Sequence, residues 1–185
     1  VRWNGLNSAA FNINKGTKQG SVLSPYLFSV FLNDLLCELD NLDAGARIGS
    51  CKLNSFAYAD DVSLISATVP GLQKLINTCY QYSQNWRLSF GLKKSKCLIA
   101  GQYSPTVSPQ WFLGPNTIAI ADSLDVLGVT FSQHGGDSAH IVNRIRSCQR
   151  SYFSLSDVGM SYPGLNTDTK AYLWKSICSP CLTYG

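Results

Sequence analysis

Phe56-Ala57-Tyr58-Ala59-Asp60-Asp61-Val62-Ser63-Leu64-Ile65 sets two adjacent carboxylates in the middle of an apolar, strand-like run. Apolar runs of this kind fill buried sheets, where an unpaired carboxylate is costly to desolvate. Two side by side add a repulsion of about 3 kcal/mol at roughly 5 Å and an effective dielectric near 20. Two arrangements relieve this: Asp60 and Asp61 stand out at a solvated hairpin tip, or a cation neutralises them. Hard divalent ions such as Mg²⁺ prefer carboxylate oxygens, so a metal is the sharper of the two readings. Either way, residues 52–56 and 62–66 read as antiparallel strands with the Asp pair at or near their connection.

Working outward, Phe28, Phe31, Leu32, Leu35, Leu36 and Leu39 recur at helical spacing before this hairpin. Ser24 followed by Pro25 supplies a cap and a first-turn proline, predicting a helix over 25–41. A second helix opens at Pro70, with Leu72, Leu75, Ile76, Cys79, Ser83 and Trp86 on one face. Residues 41–49 and 104–116 read as loops, and 97–100, 117–121 and 124–131 as strands. At the start, residues 1–5 and 10–13 read as short strands around a turn at Asn4-Gly5 or Asn7-Ser8, since Asn-Gly is a strong hairpin signal. After the break at residues 133–136 the pattern turns helical, with Ile141, Val142, Ile145, Cys148 and Tyr152 on one helix and Arg144, Arg146 and Arg150 on or near its exposed side. Leu173 and Ile177 mark a last helix. This order predicts an α+β domain over 1–132 followed by a helical region over 133–185.

The composition sets limits on function. A chain of 185 residues, 45% hydrophobic and 14% charged, can bury a core and is not disordered. Its net charge of +4 permits a polyanionic partner without requiring one. Seven cysteines at irregular spacing, most in apolar stretches, read as reduced thiols inside a cell. Cys178-Ser179-Pro180-Cys181 has the spacing of a metal pair, but there is no second pair and the only histidines are His134 and His140, a poor set for zinc. No apolar run approaches the roughly 18 residues of a membrane span, and no signal peptide is visible. These features predict an intracellular protein, nuclear or cytoplasmic, that is neither secreted nor in a membrane. A start at Val1 rather than Met is expected of a segment cut from a longer protein.

Two further stretches invite chemistry. Lys15-Gly16-Thr17-Lys18-Gln19-Gly20-Ser21 precedes a helix N-terminus, where backbone N–H groups favour an anion such as phosphate, although a plain connection has the same composition. Lys93-Lys94-Ser95-Lys96 gathers three positive charges after the second helix. Such a run is either a solvated face or a source of a lysine that protonates a departing pyrophosphate.

The order of these parts resembles a known family. Gln19-Gly20-Ser21-Val22-Leu23-Ser24-Pro25-Tyr26-Leu27-Phe28 and the Tyr58-Ala59-Asp60-Asp61 box about forty residues later are similar to the central motifs of reverse transcriptases. The variant is that of non-LTR (LINE-type) retrotransposons, group II introns and their relatives. Asn33-Asp34-Leu35, Ser95-Lys96-Cys97-Leu98, Leu127-Gly128-Val129 and the final Pro180-Cys181-Leu182-Thr183-Tyr184-Gly185 extend the resemblance over essentially the whole chain. It implies a right-hand polymerase palm, an antiparallel sheet with helices packed on one face, over 1–132, followed by the start of a helical thumb over 133–185. It also implies RNA-directed DNA polymerisation by two-metal nucleotidyl transfer with Mg²⁺, an RNA template, a DNA primer and dNTPs as partners.

The site residues follow from the same resemblance. Asp60 and Asp61 would hold metal, with Asp60 the more direct ligand. Ala59 would leave room for the primer end, and Tyr58 would support the primer or the neighbouring helix. Lys18, Gln19 and Gly20 would face the incoming nucleotide and template, and Leu127, Gly128 and Val129 would hold primer backbone. Lys96, with Lys94 as runner-up, would be the general acid. Two departures stand out. Residues 1–14 contain no Asp or Glu, so the family's third carboxylate and the fingers before it are expected to be missing, and the isolated segment is expected to be inactive. Gly91 stands where relatives often carry Asn. The rivals are a decayed transposon product that only binds nucleic acid, and an unrelated α+β module in which the Asp pair is a solvated turn.

Overall fold

The structure, a computed structural model, describes residues 2–10, 20–101, 108–157, 159–161 and 164–185. The chain divides into two compact units, Val1–Ser89 and Phe90–Gly185. Each mixes helices with short antiparallel hairpins, so the α+β class read from the sequence holds.

In the first unit, β1 (Arg2–Trp3) and β2 (Leu6–Asn7) close around Asn4-Gly5, both with positive φ, as the Asn-Gly signal predicts. The second strand therefore lies earlier than 10–13, most of which falls outside the described residues. Helix α1 (Ser24–Asp40) buries Leu32, Leu35 and Leu39, and its first turn holds the proline. Ser24 is not its cap. The N-cap position is Leu23, without a side-chain cap bond, because the helix begins one residue earlier than the Ser-Pro pair suggests. At the other end Lys52 donates to the Asp40 and Leu42 carbonyls, a cation placed where the helix dipole favours one.

Residues 41–49 are more than a loop. β3 (Ala46–Ile48) pairs with β4 (Cys51–Leu53) around a two-residue turn that begins at Gly49, φ 60°. The expected strand over 52–56 is split at Asn54. β4 pairs backwards, while β5 (Ser55–Tyr58) pairs forwards with β6 (Asp61–Leu64). Helix α2 (Val69–Trp86) starts as expected beside Pro70, with Thr68 as N-cap accepting from the Gly71 N–H at 3.1 Å. It buries Leu75, Ile76, Cys79, Tyr82 and Ser83, whereas the expected Trp86 stays half-exposed. Tyr82 is the residue the helical face omitted. Its hydroxyl donates to the Phe31 carbonyl at 2.5 Å, and its ring meets Phe31 edge-on.

In the second unit, β7 (Lys96–Cys97), β8 (Phe112–Leu113), β9 (Asn116–Thr117), β10 (Ala119–Ile120), β11 (Ser123–Val126) and β12 (Val129–Ser132) precede α3 (Ser138–Ser154). Residues 117–121 do not pair with 124–131. β9 pairs with β8, β10 runs parallel to β7, and 123–132 folds on itself as the β11–β12 hairpin. Among the described residues the strands of both units pair two by two. Helix α4 (Thr167–Leu173) widens into a π-helical turn (Trp174–Cys178) and continues as α5 (Ser179–Thr183). Cys148, Leu155, Met160 and Cys178 form one buried cluster, so Cys178 is packing here. Burial pushes its thiol up from the usual range. Ile141, Val142 and Ile145 lie on α3 as expected, and are 52%, 44% and 43% exposed. The buried residues of that helix are His140 and Cys148.

Candidate active site

The Asp pair stands at the tip of the β5–β6 hairpin. Tyr58 pairs with Asp61, leaving Ala59 and Asp60 as a two-residue loop. Ala59 has φ 51°, a left-handed conformation that costs an L-residue about 1–2 kcal/mol. Strain of this kind persists only where the surrounding ladder enforces it. Strand alternation turns Ser55 and Ala57 inward against α1, while Phe56 and Tyr58 face solvent at 37% and 66% exposure. Asp60 and Asp61 are both exposed. Among the described residues neither has a hydrogen-bond or ion-pair partner, so both carboxylates are open to an incoming ligand.

Asn54 fixes the base of this hairpin. It is 2% exposed, and its side-chain amide donates to the Leu39 carbonyl at 2.6 Å, at the C-terminal end of α1. Its own carbonyl accepts from Ile65 N–H at 2.8 Å, just past β6. One buried amide thus ties α1 to both arms of the hairpin. Gly45 lets this happen, since a Cβ there would lie 2.7 Å from that of Asn54. The signal for Asn54 was a polar Asn-Ser pair between Leu53 and Phe56.

The other expected residues are distributed as follows. Gly20 has φ 79° and open space around it, and Lys18 and Gln19 lie outside the described residues. Lys94 sits in a turn closed onto the Gly91 carbonyl at 2.8 Å, and Lys96 begins β7, both exposed and both in the second unit. Leu127 and Gly128, φ 50° and 81°, form the two-residue loop of the β11–β12 hairpin, and Val129 opens β12. Beside that hairpin an open groove of about 760 Å³ runs along α3, lined by Gly128, Thr130, Arg144, Arg146, Arg150 and Phe153 among others. Cationic guanidinium groups next to an exposed ring are a surface suited to a phosphate backbone and its bases. Among the described residues no group of three or more His, Cys, Asp or Glu is placed to hold a metal ion. None of the described helices is long and apolar enough to cross a membrane.

Comparison with known proteins is consistent with this arrangement. The reverse transcriptase (RNA-dependent DNA polymerase) family matches residues 2–131, and the chain belongs to that family. It is 28% identical, over its whole length, to the RNA-directed DNA polymerase from mobile element jockey of Drosophila melanogaster, covering 20% of that protein. Over 94% of its length it is 26% identical to the retrovirus-related Pol polyprotein from type-1 retrotransposable element R2 of Popillia japonica, covering 28% of it. Over 52% of its length it is 35% identical to the corresponding polyprotein of type-2 element R2DM of Drosophila melanogaster. The chain therefore spans between a fifth and somewhat over a quarter of the length of the first two relatives. The family read from Gln19 to Pro25 and Tyr58 to Asp61 is the family found.

Proposed function

We propose that the chain supplies palm and early thumb, residues 1–132 and 133–185, to an RNA-directed DNA polymerase of a non-LTR retrotransposon. The observation that carries this is an exposed Asp60-Asp61 tip, without a partner among the described residues, inside a chain of the reverse transcriptase family. The donor set fits Mg²⁺, which is bound by one or two carboxylates and completes its octahedron with water and substrate phosphates. Such an ion, when bound, would supply positive charge to the reacting hydroxyl and phosphates.

The chain's own residues do the rest. Asp60 and Asp61 present oxygens from a rigid turn. Ala59, with only a methyl group, leaves the approach to them open, and the exposed Tyr58 ring offers a support for the primer end. Lys18, Gln19 and Gly20 contact nucleotide and template. Lys96, or Lys94 in its place, delivers a proton to the leaving pyrophosphate. Template is held by backbone contacts, since copying any sequence forbids base readout by the protein.

The test is primer extension on an RNA template by the longest natural protein carrying this chain. Asp60→Ala is expected to lower the rate at least about a hundredfold, the scale on which a group stabilising transition-state charge acts. Equal extension by both proteins would remove the catalytic assignment.

A further inference from the structure

The tip of the β11–β12 hairpin is an unusual choice of residues. Both loop positions are left-handed, a conformation served by Asn or Gly, yet the first is Leu127. Its conformation is secured from outside. The Tyr184 hydroxyl donates to the Leu127 carbonyl at 2.8 Å. The edge of the same ring would stand 3.3 Å from a Cβ on Gly128, so the second loop residue is matched to the ring by having none.

The β12 arm beside the loop is held as well. Thr130 N–H donates to His140 Nδ1 at 3.2 Å. An accepting Nδ1 leaves the imidazole proton on Nε2, which donates to the Tyr184 carbonyl at 3.0 Å. His140 is 6% exposed, so this bridge is sheltered from water. One turn further along α3, Asn143 donates to Thr130 Oγ1 at 2.9 Å, and that hydroxyl donates to Asp125 across the hairpin at 2.5 Å. Finally, the Arg144 guanidinium lies over the Tyr184 ring, 5.6 Å from its centre, at the wall of the arginine groove.

We propose that Tyr184 and His140 are positioning residues: they clasp the hairpin so that the backbone of Leu127 and Gly128 and the α3 arginines form one preset surface for a nucleic-acid strand. This rests on the polymerase reading above and adds to it which side chains hold the strand-binding hairpin in shape. Tyr184 does so without touching the strand, through one hydroxyl and one ring edge.

The experiment uses the 185-residue chain and an RNA–DNA hybrid with a recessed DNA 3′ end. Affinity is measured by fluorescence anisotropy over a range of salt, alongside hydrogen exchange at the Thr130 amide. Tyr184→Phe keeps the ring and the Arg144 stacking but loses the hydroxyl. It is expected to weaken hybrid binding about 3- to 10-fold, the worth of one hydrogen bond, with no change in salt slope. Arg146→Ala is expected to weaken binding and reduce that slope by about 1, as loss of a phosphate contact does. His140→Ala is expected to raise Thr130 exchange at least tenfold while the helix amides of α3 stay protected.

Hybrid affinity unchanged in Tyr184→Phe, with the unsubstituted chain binding, would overturn the clasp alone. A salt slope that falls in Tyr184→Phe would overturn it too, since the hydroxyl would then be acting through the arginines. Unchanged Thr130 exchange in His140→Ala would contradict the histidine's part. No binding by the unsubstituted chain would overturn the nucleic-acid reading and the clasp with it.

Discussion

The two long hairpins, β5–β6 and β11–β12, are built alike and finished differently. Each has four-residue strands, a two-residue loop and a non-glycine residue forced left-handed, Ala59 at φ 51° and Leu127 at φ 50°. Among the described residues the first is anchored at its base by Asn54, and its tip of two carboxylates has no partner. The second is held at its tip by Tyr184 and at Thr130, just below the tip, by His140 and Asn143. The contrast matches the two tasks proposed above. Side chains proposed to receive a ligand are exposed and without a partner among the described residues. Backbone proposed to present a fixed shape is satisfied by donors from elsewhere in the fold.

The largest effect on the fold of either hairpin should come from removing its anchor. Asn54→Ala takes away a buried donor and leaves the Leu39 carbonyl without it, which costs about 1–3 kcal/mol. Chemical denaturation should show that loss, with exchange of the β5–β6 amides rising most. If the loss is seen and the β5–β6 amides are no more exposed than those of β11–β12, the anchoring role is wrong.

Smaller and opposite effects should follow from exchanging the loop residues. Ala59→Gly relieves a left-handed alanine and should stabilise by up to about 1 kcal/mol, the steric relief set against glycine's extra chain entropy. Gly128→Ala introduces that strain, and its Cβ would crowd the Tyr184 ring, so it should destabilise by about 1–2 kcal/mol. Like signs for the two substitutions in thermal unfolding would contradict the geometry of both tips.

The smallest effect at neutral pH concerns the thiols of the two units. Burial pushes Cys79 of α2 from 9.0 up to about 12, and Cys97 of β7 to about 11. A raised folded value means the folded state keeps its proton while the unfolded state ionises. The associated stability is therefore complete below pH 9 and is lost as pH rises toward 11–12. Exposed Cys37 and Cys51 should react with a thiol reagent at pH 8 long before Cys79 or Cys97, as mass spectrometry of the modified chain would report. Early modification of Cys79 would mean that the core beneath the first hairpin opens.

Much of the molecule was legible because its signals are local. Period-3.6 leucines marked α1 and α2, Pro70 marked a helix start, and Asn4-Gly5 marked a turn. The Tyr58-Ala59-Asp60-Asp61 box and the Gln19-to-Pro25 phrase identified the family. What escaped was set by tertiary contact. Asn54 splits the expected strand over 52–56 in two, its amide bonded to Leu39, fifteen residues away. Leu127-Gly128 does not look like a hairpin loop on propensity, since Tyr184, fifty-seven residues away, supplies the bond that favours it. The parallel β7–β10 pair joins residues over twenty apart, beyond any periodicity. His140 and Asn143 sit among exposed aliphatic residues of α3, where hydropathy does not mark the buried side.

The central claim is that of two similar hairpins only the β5–β6 tip takes a divalent cation. Titrating the isotope-labelled chain with Mn²⁺, and following paramagnetic broadening of its amide signals, tests this directly. The account predicts broadening centred on Tyr58 to Asp61, abolished in the Asp60→Asn, Asp61→Asn double variant, with Leu127 to Val129 remaining sharp. Broadening that is uniform, that centres on the second hairpin, or that survives the double substitution would contradict it.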